Sequence, residues 1–97
     1  MEIFKSSVAG TMESSDIMIT LEPMSGGIEI ELQSIVNKQF GRHIRELITN
    51  TLTELQINNV KIIAVDKGAL DCTIQARVKT AAYRALEESR HDWRAAR

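Results

Sequence analysis

Apolar and polar residues alternate along two early stretches of the chain. The first alternation covers positions 17–22, and the second covers positions 28–33. A period of two is typical of a strand with one buried face. Pro23 ends the first stretch, and a Ser-Gly-Gly segment at positions 25–27 supplies turn residues before the second. Two such strands joined by a glycine turn predict a β-hairpin.

A longer apolar period follows and predicts an amphipathic helix. Its apolar stripe consists of Val36, Phe40, Ile44, Leu47, Ile48, Leu52 and Leu55. Ser34 and Asn37 are both suitable N-cap residues, so the pattern leaves the start of this helix open. Gly41 inside the helix costs about 1 kcal/mol relative to alanine, and it marks a close packing contact or a later start.

The second half of the chain shows the same succession of periods. Positions 60–65 are almost continuously apolar, as in a strand near the centre of a sheet. Asp-Lys-Gly at positions 66–68 is typical of a turn. The alternation of apolar and polar residues then returns over positions 71–78, which predicts a fourth strand. From Val78 a stripe of small apolar residues predicts a second helix. The pattern therefore predicts a small α+β domain of order ββαββα, with two β-hairpins each followed by a helix and an antiparallel sheet covered by helices on one face.

The two ends of the chain have weaker patterns. Residues 1–15 are predicted to be a flexible loop, although Ile3, Phe4 and Val8 are also compatible with a short strand at its beginning. Residues 89–97 carry mixed charges and one large apolar side chain, Trp93, so this tail is expected to fray. Residues 1–97 are expected to form one domain.

The composition narrows the classes of function. Twelve basic and thirteen acidic residues give a net charge of -1, which lacks the basic excess of a nucleic-acid-binding protein. The single cysteine excludes an internal disulfide. Because no apolar stretch approaches the roughly 20 residues that span a bilayer, and no secretion signal is evident, we expect a cytoplasmic protein without a membrane partner.

The sequence contains few candidates for catalysis or metal binding. Neither His43 nor His91 has the spacing of zinc ligands, so both are expected to be solvated and no metal site is predicted. Cys72 falls on the apolar side of the predicted fourth strand and is expected to be a buried core residue. Because no nucleophile, base and oxyanion donors come together in the pattern, we predict no catalytic residue.

Positions 9–16, Ala-Gly-Thr-Met-Glu-Ser-Ser-Asp, are small, polar and without a strong periodicity. Two adjacent hydroxyls, Ser14 and Ser15, lie there between the carboxylates of Glu13 and Asp16. A serine in such a segment is accessible to another protein, but it has no neighbouring base to activate it. It is therefore a poor nucleophile and a suitable point of attachment.

This segment, followed by the strand at positions 17–21, resembles the acyl carrier protein, or γ subunit, of citrate lyase. Residues 66–72, Asp-Lys-Gly-Ala-Leu-Asp-Cys, resemble a second motif of that family. Phe40-Gly41 together with Ile44 is similar to its central helix. The resemblance extends from about Val8 to about Arg77.

The resemblance implies a covalent carrier that performs no catalysis itself. The cofactor would be 2′-(5″-phosphoribosyl)-3′-dephospho-coenzyme A, attached through a phosphodiester to Ser14 by a prosthetic-group transferase. Its thiol would carry acetyl and citryl groups within a hetero-oligomer, where the α subunit exchanges them and the β subunit cleaves citrate to acetate and oxaloacetate. Ser15 replaces a glycine that other members can have, and its hydroxyl leaves attachment at that position open.

Two other functions remain compatible with the sequence. The chain is also similar to the acyl carrier subunit of malonate decarboxylase, which uses the same kind of arm. Alternatively, it is an unmodified module that assembles with larger subunits. Glu13 and Asp16 are expected to repel the phosphates of an arm, to be read by a basic partner surface, or to solvate the loop. Lys67 is expected to contact solvent or an arm phosphate.

Overall fold

The computed structural model of the chain describes residues 2–35 and 38–95, with side chains to residue 87. This described part forms one α+β domain with four strands and two helices, which confirms the predicted class. In chain order the elements are β1 (Ser7–Gly10), β2 (Ile17–Pro23), β3 (Ile28–Ser34), α1 (Lys38–Glu54), β4 (Val60–Asp66) and α2 (Asp71–Ala95). Neither helix is long and apolar enough, over the described residues, to cross a membrane.

The strands lie in the order β1-β2-β4-β3. β2 is antiparallel to both β1 and β4, whereas β3 and β4 are parallel, with partners running from Ile28↔Val60 to Ser34↔Asp66. The predicted hairpin between β2 and β3 is therefore wrong, and so is a purely antiparallel sheet. The nearly continuous apolar run of β4 favours a central position, which it takes by inserting between β2 and β3.

The strand predicted at positions 71–78 is also wrong, because these residues form the first part of α2. The same residues contain a four-residue spacing of Ile74 and Val78 that continues to Ala82, and all three side chains are buried. Cys72 and Ala76, which the alternation placed on the same apolar face, are exposed. The predicted burial of Cys72 is thus corrected, since a helical period separates it from the core.

Part of the predicted N-terminal loop is ordered as β1, which pairs along β2 from Ser7↔Leu21 to Gly10↔Met18. Gly10 has a φ of +97°, and a Cβ built on it would overlap the carbonyl oxygen of Ile17, so this position requires glycine. At the other end, the backbone of α2 continues to Ala95, and residues 96 and 97 of the predicted frayed tail lie outside the described residues. Val36 and Asn37 of the predicted α1 stripe and cap also lie outside them.

The core lies between one face of the sheet and both helices. α2 contacts β1 and β2, and α1 contacts β3 and α2, which confirms that the helices cover one face. Small residues let α2 approach the sheet closely, and the Ser7 hydroxyl donates to the carbonyl of Ala81 at 2.6 Å. The fully buried aliphatic side chains include Ile17, Ile19, Leu21, Ile48, Leu52, Val60, Ile62 and Val78.

Candidate functional site

The loop between β1 and β2 presents the two adjacent serines. The amide of Asp16 donates to the carbonyl of Glu13 at 3.2 Å, which closes a four-residue turn with Ser14 and Ser15 at its centre. Ser15 has a φ of +67°, the left-handed conformation that type II turns require at their third residue. Both side chains are exposed. The two hydroxyls therefore lie at the tip of a tight turn, which we call the serine turn (residues 13–16).

The carboxylate of Asp16 fixes this turn to α2. Arg77 donates to it through Nε at 3.1 Å and Nη2 at 2.9 Å, and the Thr11 hydroxyl donates at 2.6 Å. The amide of Ile17 adds a bond of 2.7 Å. The Arg77 hydrogen bonds, followed by those of Thr11 and Ile17, hold the pKa of Asp16 far below its ordinary value. Asp16 is therefore ionised and neutralised within the fold, which gives it a structural role.

The two motifs that carried the resemblance meet at this turn. The amide of Ser15 donates to the carbonyl of Lys67 at 2.8 Å, and the amide of Lys67 donates to the carbonyl of Asp16 at 2.8 Å. These bonds extend the β2–β4 pairing beyond Ile17↔Asp66. The serine turn is thus held against the connection from β4 to α2. Lys67 contacts the turn through its backbone.

Asp66, at the end of β4, organises that connection. Its side chain is buried, with 1% of its surface exposed. One carboxylate oxygen accepts from the Ser34 hydroxyl at 2.9 Å, and the other accepts from the amide of Ala69 at 3.0 Å. Because the bond to Ala69 bends the chain toward α2, Asp66 sets the direction in which the second motif leaves the sheet.

An open apolar groove of about 590 Å³ adjoins the start of α2. Phe40 and Leu70 are 58% and 71% exposed there, so the predicted inward position of Phe40 on the α1 stripe is wrong. His43 is exposed, as predicted, and its Nε2 lies 2.7 Å from a carboxylate oxygen of Asp71. The side chain of His91 lies outside the described part. The groove is lined by Phe40, His43, Ile44, Asp66, Ala69, Leu70, Asp71, Cys72 and Ile74.

The chemistry available at the serine turn is that of an attachment point. No described side chain forms a hydrogen bond with the hydroxyl of Ser14 or Ser15. The carboxylate of Asp16 has both oxygens engaged by Arg77 and its own loop, and the carboxylate of Glu13 forms no described hydrogen bond with either hydroxyl. Among the described residues there is also no cluster of three side chains suited to a metal. Both serine side chains are exposed, and no side chain in the described part of the chain is hydrogen-bonded to either hydroxyl as a base.

Comparison with known proteins shows the family of this chain. The family described as "ACP: Malonate decarboxylase delta subunit (MdcD)" matches residues 4–85. The citrate lyase acyl carrier protein of Latilactobacillus sakei is 57% identical, over 96% of this chain and 92% of the relative. That of Streptococcus uberis is 54% identical, over 97% and 93%. The chain belongs to the citrate lyase acyl carrier protein family. Members of this family bear a prosthetic group and are subunits of a multi-subunit lyase.

The fold of this acyl carrier family member is shared with a solved structure. One chain in the crystal structure of a Pseudomonas malonate decarboxylase hetero-tetramer in complex with malonate superposes with a TM-score of 0.67. The match covers 88% of this chain and 92% of that one, at 22% identity. At this identity the likeness establishes the shared fold alone.

In this carrier family member, sequence reasoning identified the serine pair and both motifs but missed Arg77. The predicted strand at 71–78 placed Arg77 on a polar sheet face, whereas α2 brings its guanidinium to Asp16. An arginine 61 positions from its partner carboxylate leaves no local signal in the sequence. Only recognition of α2 as a helix would have placed Arg77 on the side of the helix that faces the turn.

Proposed function

We propose that this chain is the acyl carrier subunit of citrate lyase and that Ser14 is its attachment residue. The observation that carries this proposal is the exposed Ser14 hydroxyl at the tip of a turn anchored by the Asp16–Arg77 ion pair, whose Nη2–Oδ2 distance is 2.9 Å. The group is 2′-(5″-phosphoribosyl)-3′-dephospho-coenzyme A, joined through a phosphodiester. When attached, it supplies the thiol that carries acetyl and citryl groups. An exposed hydroxyl with no described side chain bonded to it fits such a linkage.

The anchored turn explains what the chain contributes to the reaction. A flexible attachment segment would have to be ordered each time a partner recognises it, at about 1–2 kcal/mol per residue. Here Asp16, Thr11 and Arg77 order the turn in advance. The carried group is then presented at high effective concentration to the α and β subunits, which perform the acyl exchange and the cleavage. The carrier itself needs no catalytic residue.

The backbone favours Ser14 over Ser15. Ser15 occupies a positive φ that glycine adopts most easily, and its amide is bonded to Lys67. The conformation therefore explains why a glycine is suited to position 15, and a glycine there has no hydroxyl to modify. Position 14 has a negative φ and takes serine without strain, since Ser15 and Gln56 are the non-glycine residues with positive φ in the described part.

The test compares Ser14→Ala with Ser15→Ala, each produced together with the α and β subunits and the transferase. We expect intact mass and peptide mapping to show the adduct on wild type and Ser15→Ala, and none on Ser14→Ala. Citrate cleavage by the Ser14→Ala complex should fall to background, while the free energy of unfolding of the isolated chain changes by less than about 0.5 kcal/mol. A fully active Ser14→Ala complex would refute the assignment.

The same experiment separates the two alternative functions. An active complex containing an unmodified chain would identify an assembly module instead of a carrier. Replacing the α and β subunits with the catalytic subunits of malonate decarboxylase tests the second alternative, and activity on malonate without activity on citrate would identify a malonate decarboxylase carrier. Relatives at 54% and 57% identity are carriers of citrate lyase, whereas the malonate decarboxylase chain shares 22% identity, so citrate lyase is the favoured assignment.

A further inference from the structure

A second concave surface lies between α1 and β3, which is one of the two edge strands of the sheet. It has a volume of about 380 Å³, and three of the six residues that line it are cationic. We call it the basic groove. Its lining consists of Leu32, Ser34, Lys38, Gly41, Arg42 and Arg45.

None of the three cationic side chains of the basic groove forms an ion pair with a described residue. Lys38 and Arg42 are exposed. Arg45 donates from Nη1 to the carbonyl of Ile30 at 2.9 Å, which holds its guanidinium against the edge of β3. α1 also has no acidic residue in its first turn. A concave surface lined by one sign of charge concentrates ions of the opposite sign, so the groove attracts anions.

The apolar part of the lining of the basic groove, which we call its floor, consists of the Leu32 side chain and Gly41. Leu32 is partly buried, and Gly41 faces it from α1 without a side chain. A Cβ added to Gly41 would lie 3.8 Å from Cδ2 of Leu32, an ordinary contact, so packing does not require a glycine there. A helix-interior glycine costs about 1 kcal/mol relative to alanine, and here the missing methyl leaves the floor open. Cations around an apolar floor suit a nucleotide, with phosphates on the cations and the base on the floor.

The basic groove is within reach of the serine turn. Ile17 and Ser34 both pair with Asp66, so they lie two strand spacings, or about 10 Å, apart. Ser14 is three residues before Ile17, which adds at most about 11 Å. In the arm described above, about a dozen bonds of about 1.5 Å separate the serine oxygen from the pyrophosphate. The nucleotide half of the arm is also the half attached nearest to the protein.

We propose that the basic groove binds the nucleotide half of the attached arm, the adenosine and its pyrophosphate. This inference rests on the proposed attachment at Ser14. Docking of the charged half against Lys38, Arg42 and Arg45 leaves the thiol-bearing half free to move between partner sites. The moving part of the arm is then shorter, which raises its effective concentration at those sites.

The test titrates the unmodified full chain with 3′-dephospho-coenzyme A while amide chemical shifts are recorded. We expect saturable shifts at residues 32–34 and 38–45 below about 10 mM, since a short tether supplies millimolar effective concentrations and the site need bind no more tightly than that. Lys38→Gln and Arg42→Gln should each raise the dissociation constant about fivefold or more. Lys79→Gln, which removes an exposed lysine from α2, is the matched control and should have no effect.

Two further measurements identify what occupies the groove. Pantetheine, which lacks the nucleotide, should cause no shifts at these residues. The chain carrying its arm should no longer bind free 3′-dephospho-coenzyme A, because the tethered nucleotide already fills the site. Absence of saturable shifts up to about 10 mM, equal weakening by Lys79→Gln, or equal binding by the modified and unmodified chains would each overturn the proposal. The adduct on Ser14 is measured separately by mass, so failure of the groove and failure of the attachment are distinguishable.

Discussion

Asp16 is the residue on which the conformation of the serine turn depends. Its two carboxylate oxygens receive hydrogen bonds from a hydroxyl of the same loop, the amide of β2 and a guanidinium of α2. Its side chain is only 14% exposed, so it is shielded from the solvent that surrounds Ser14. The two carboxylates of the motif therefore have different roles, because Glu13 is exposed whereas Asp16 holds the turn in the fold.

The pH dependence of stability tests this role of Asp16. Its folded pKa is lowered from 3.8, so its ion pair stabilises the fold above about pH 4 and is lost as the pH falls through the lowered value. Asp16→Asn should be less stable than wild type near neutral pH, and the difference in the free energy of unfolding should shrink toward about pH 2. Urea denaturation followed by circular dichroism measures the free energy of unfolding of both proteins at each pH. Glu29→Gln, which removes an exposed carboxylate on β3, is the control and should change the free energy of unfolding by less than about 0.5 kcal/mol. An equal difference at both pH values for Asp16→Asn would contradict the role.

At the scale of elements, turns were easier to predict from the sequence than the pairing of strands. The turn at positions 25–27 exists, and both of its glycines have positive φ. Yet the carbonyl of Gly27 accepts a hydrogen bond from the amide of Val60, and the amide of Gly27 donates one to the side chain of Asn59. These bonds connect the turn to the start of β4, so β2 and β3 are neighbours in sequence but not in the sheet. Strand pairing of this kind depends on contacts distant along the chain, which a local period cannot reveal.

The start of α2 shows a second limit of prediction from the sequence, which is the choice between helix and strand. Over positions 71–78 the apolar residues fit a period of two, and only Ile74, Val78 and their continuation to Ala82 reveal a helix. The helix that was predicted from Val78 therefore begins a full seven residues earlier, at Asp71. Because these residues are helical, Cys72 lies at the surface and Arg77 contacts the serine turn, unlike in the predicted arrangement. The motifs themselves were predictable, whereas their contact through Lys67 and Arg77 depends on the fold.

Gly41 gives a test at the scale of α1. Because its φ is negative and a methyl group would meet only Leu32 at 3.8 Å, Gly41→Ala should raise the free energy of unfolding by about 0.5–1 kcal/mol. Thermal and urea unfolding of the isolated chain measure this change. Gly10→Ala is the matched opposite, since its Cβ would overlap the carbonyl of Ile17, and it should destabilise the chain by more than about 1 kcal/mol. A loss of stability in Gly41→Ala would show that α1 packs more closely than the structure indicates.

In the whole molecule, the segments that we propose to serve the carrier role lie at one end of the sheet. The serine turn precedes β2, the second motif follows β4, and Ser34 at the end of β3 begins the basic groove. β4 pairs with both neighbouring strands and fixes these three segments relative to one another. The buried sheet and α2 therefore act as a rigid support for segments that are far apart in the sequence. A modifying enzyme that binds this end encounters a surface that exists only in the folded chain.

Attachment of the arm should consequently require the folded domain. A synthetic peptide of residues 8–20 contains the complete serine motif but lacks Lys67 and Arg77, which fix the turn. Ordering even two of its residues would cost about 2–4 kcal/mol, so the transferase should modify the peptide at least about tenfold more slowly than the full chain. Arg77→Gln in the full chain should lie between the two, and Lys79→Gln should match wild type. Rates are measured by mass spectrometry of the adduct; equal rates for peptide and full chain would show that the transferase reads the linear motif alone.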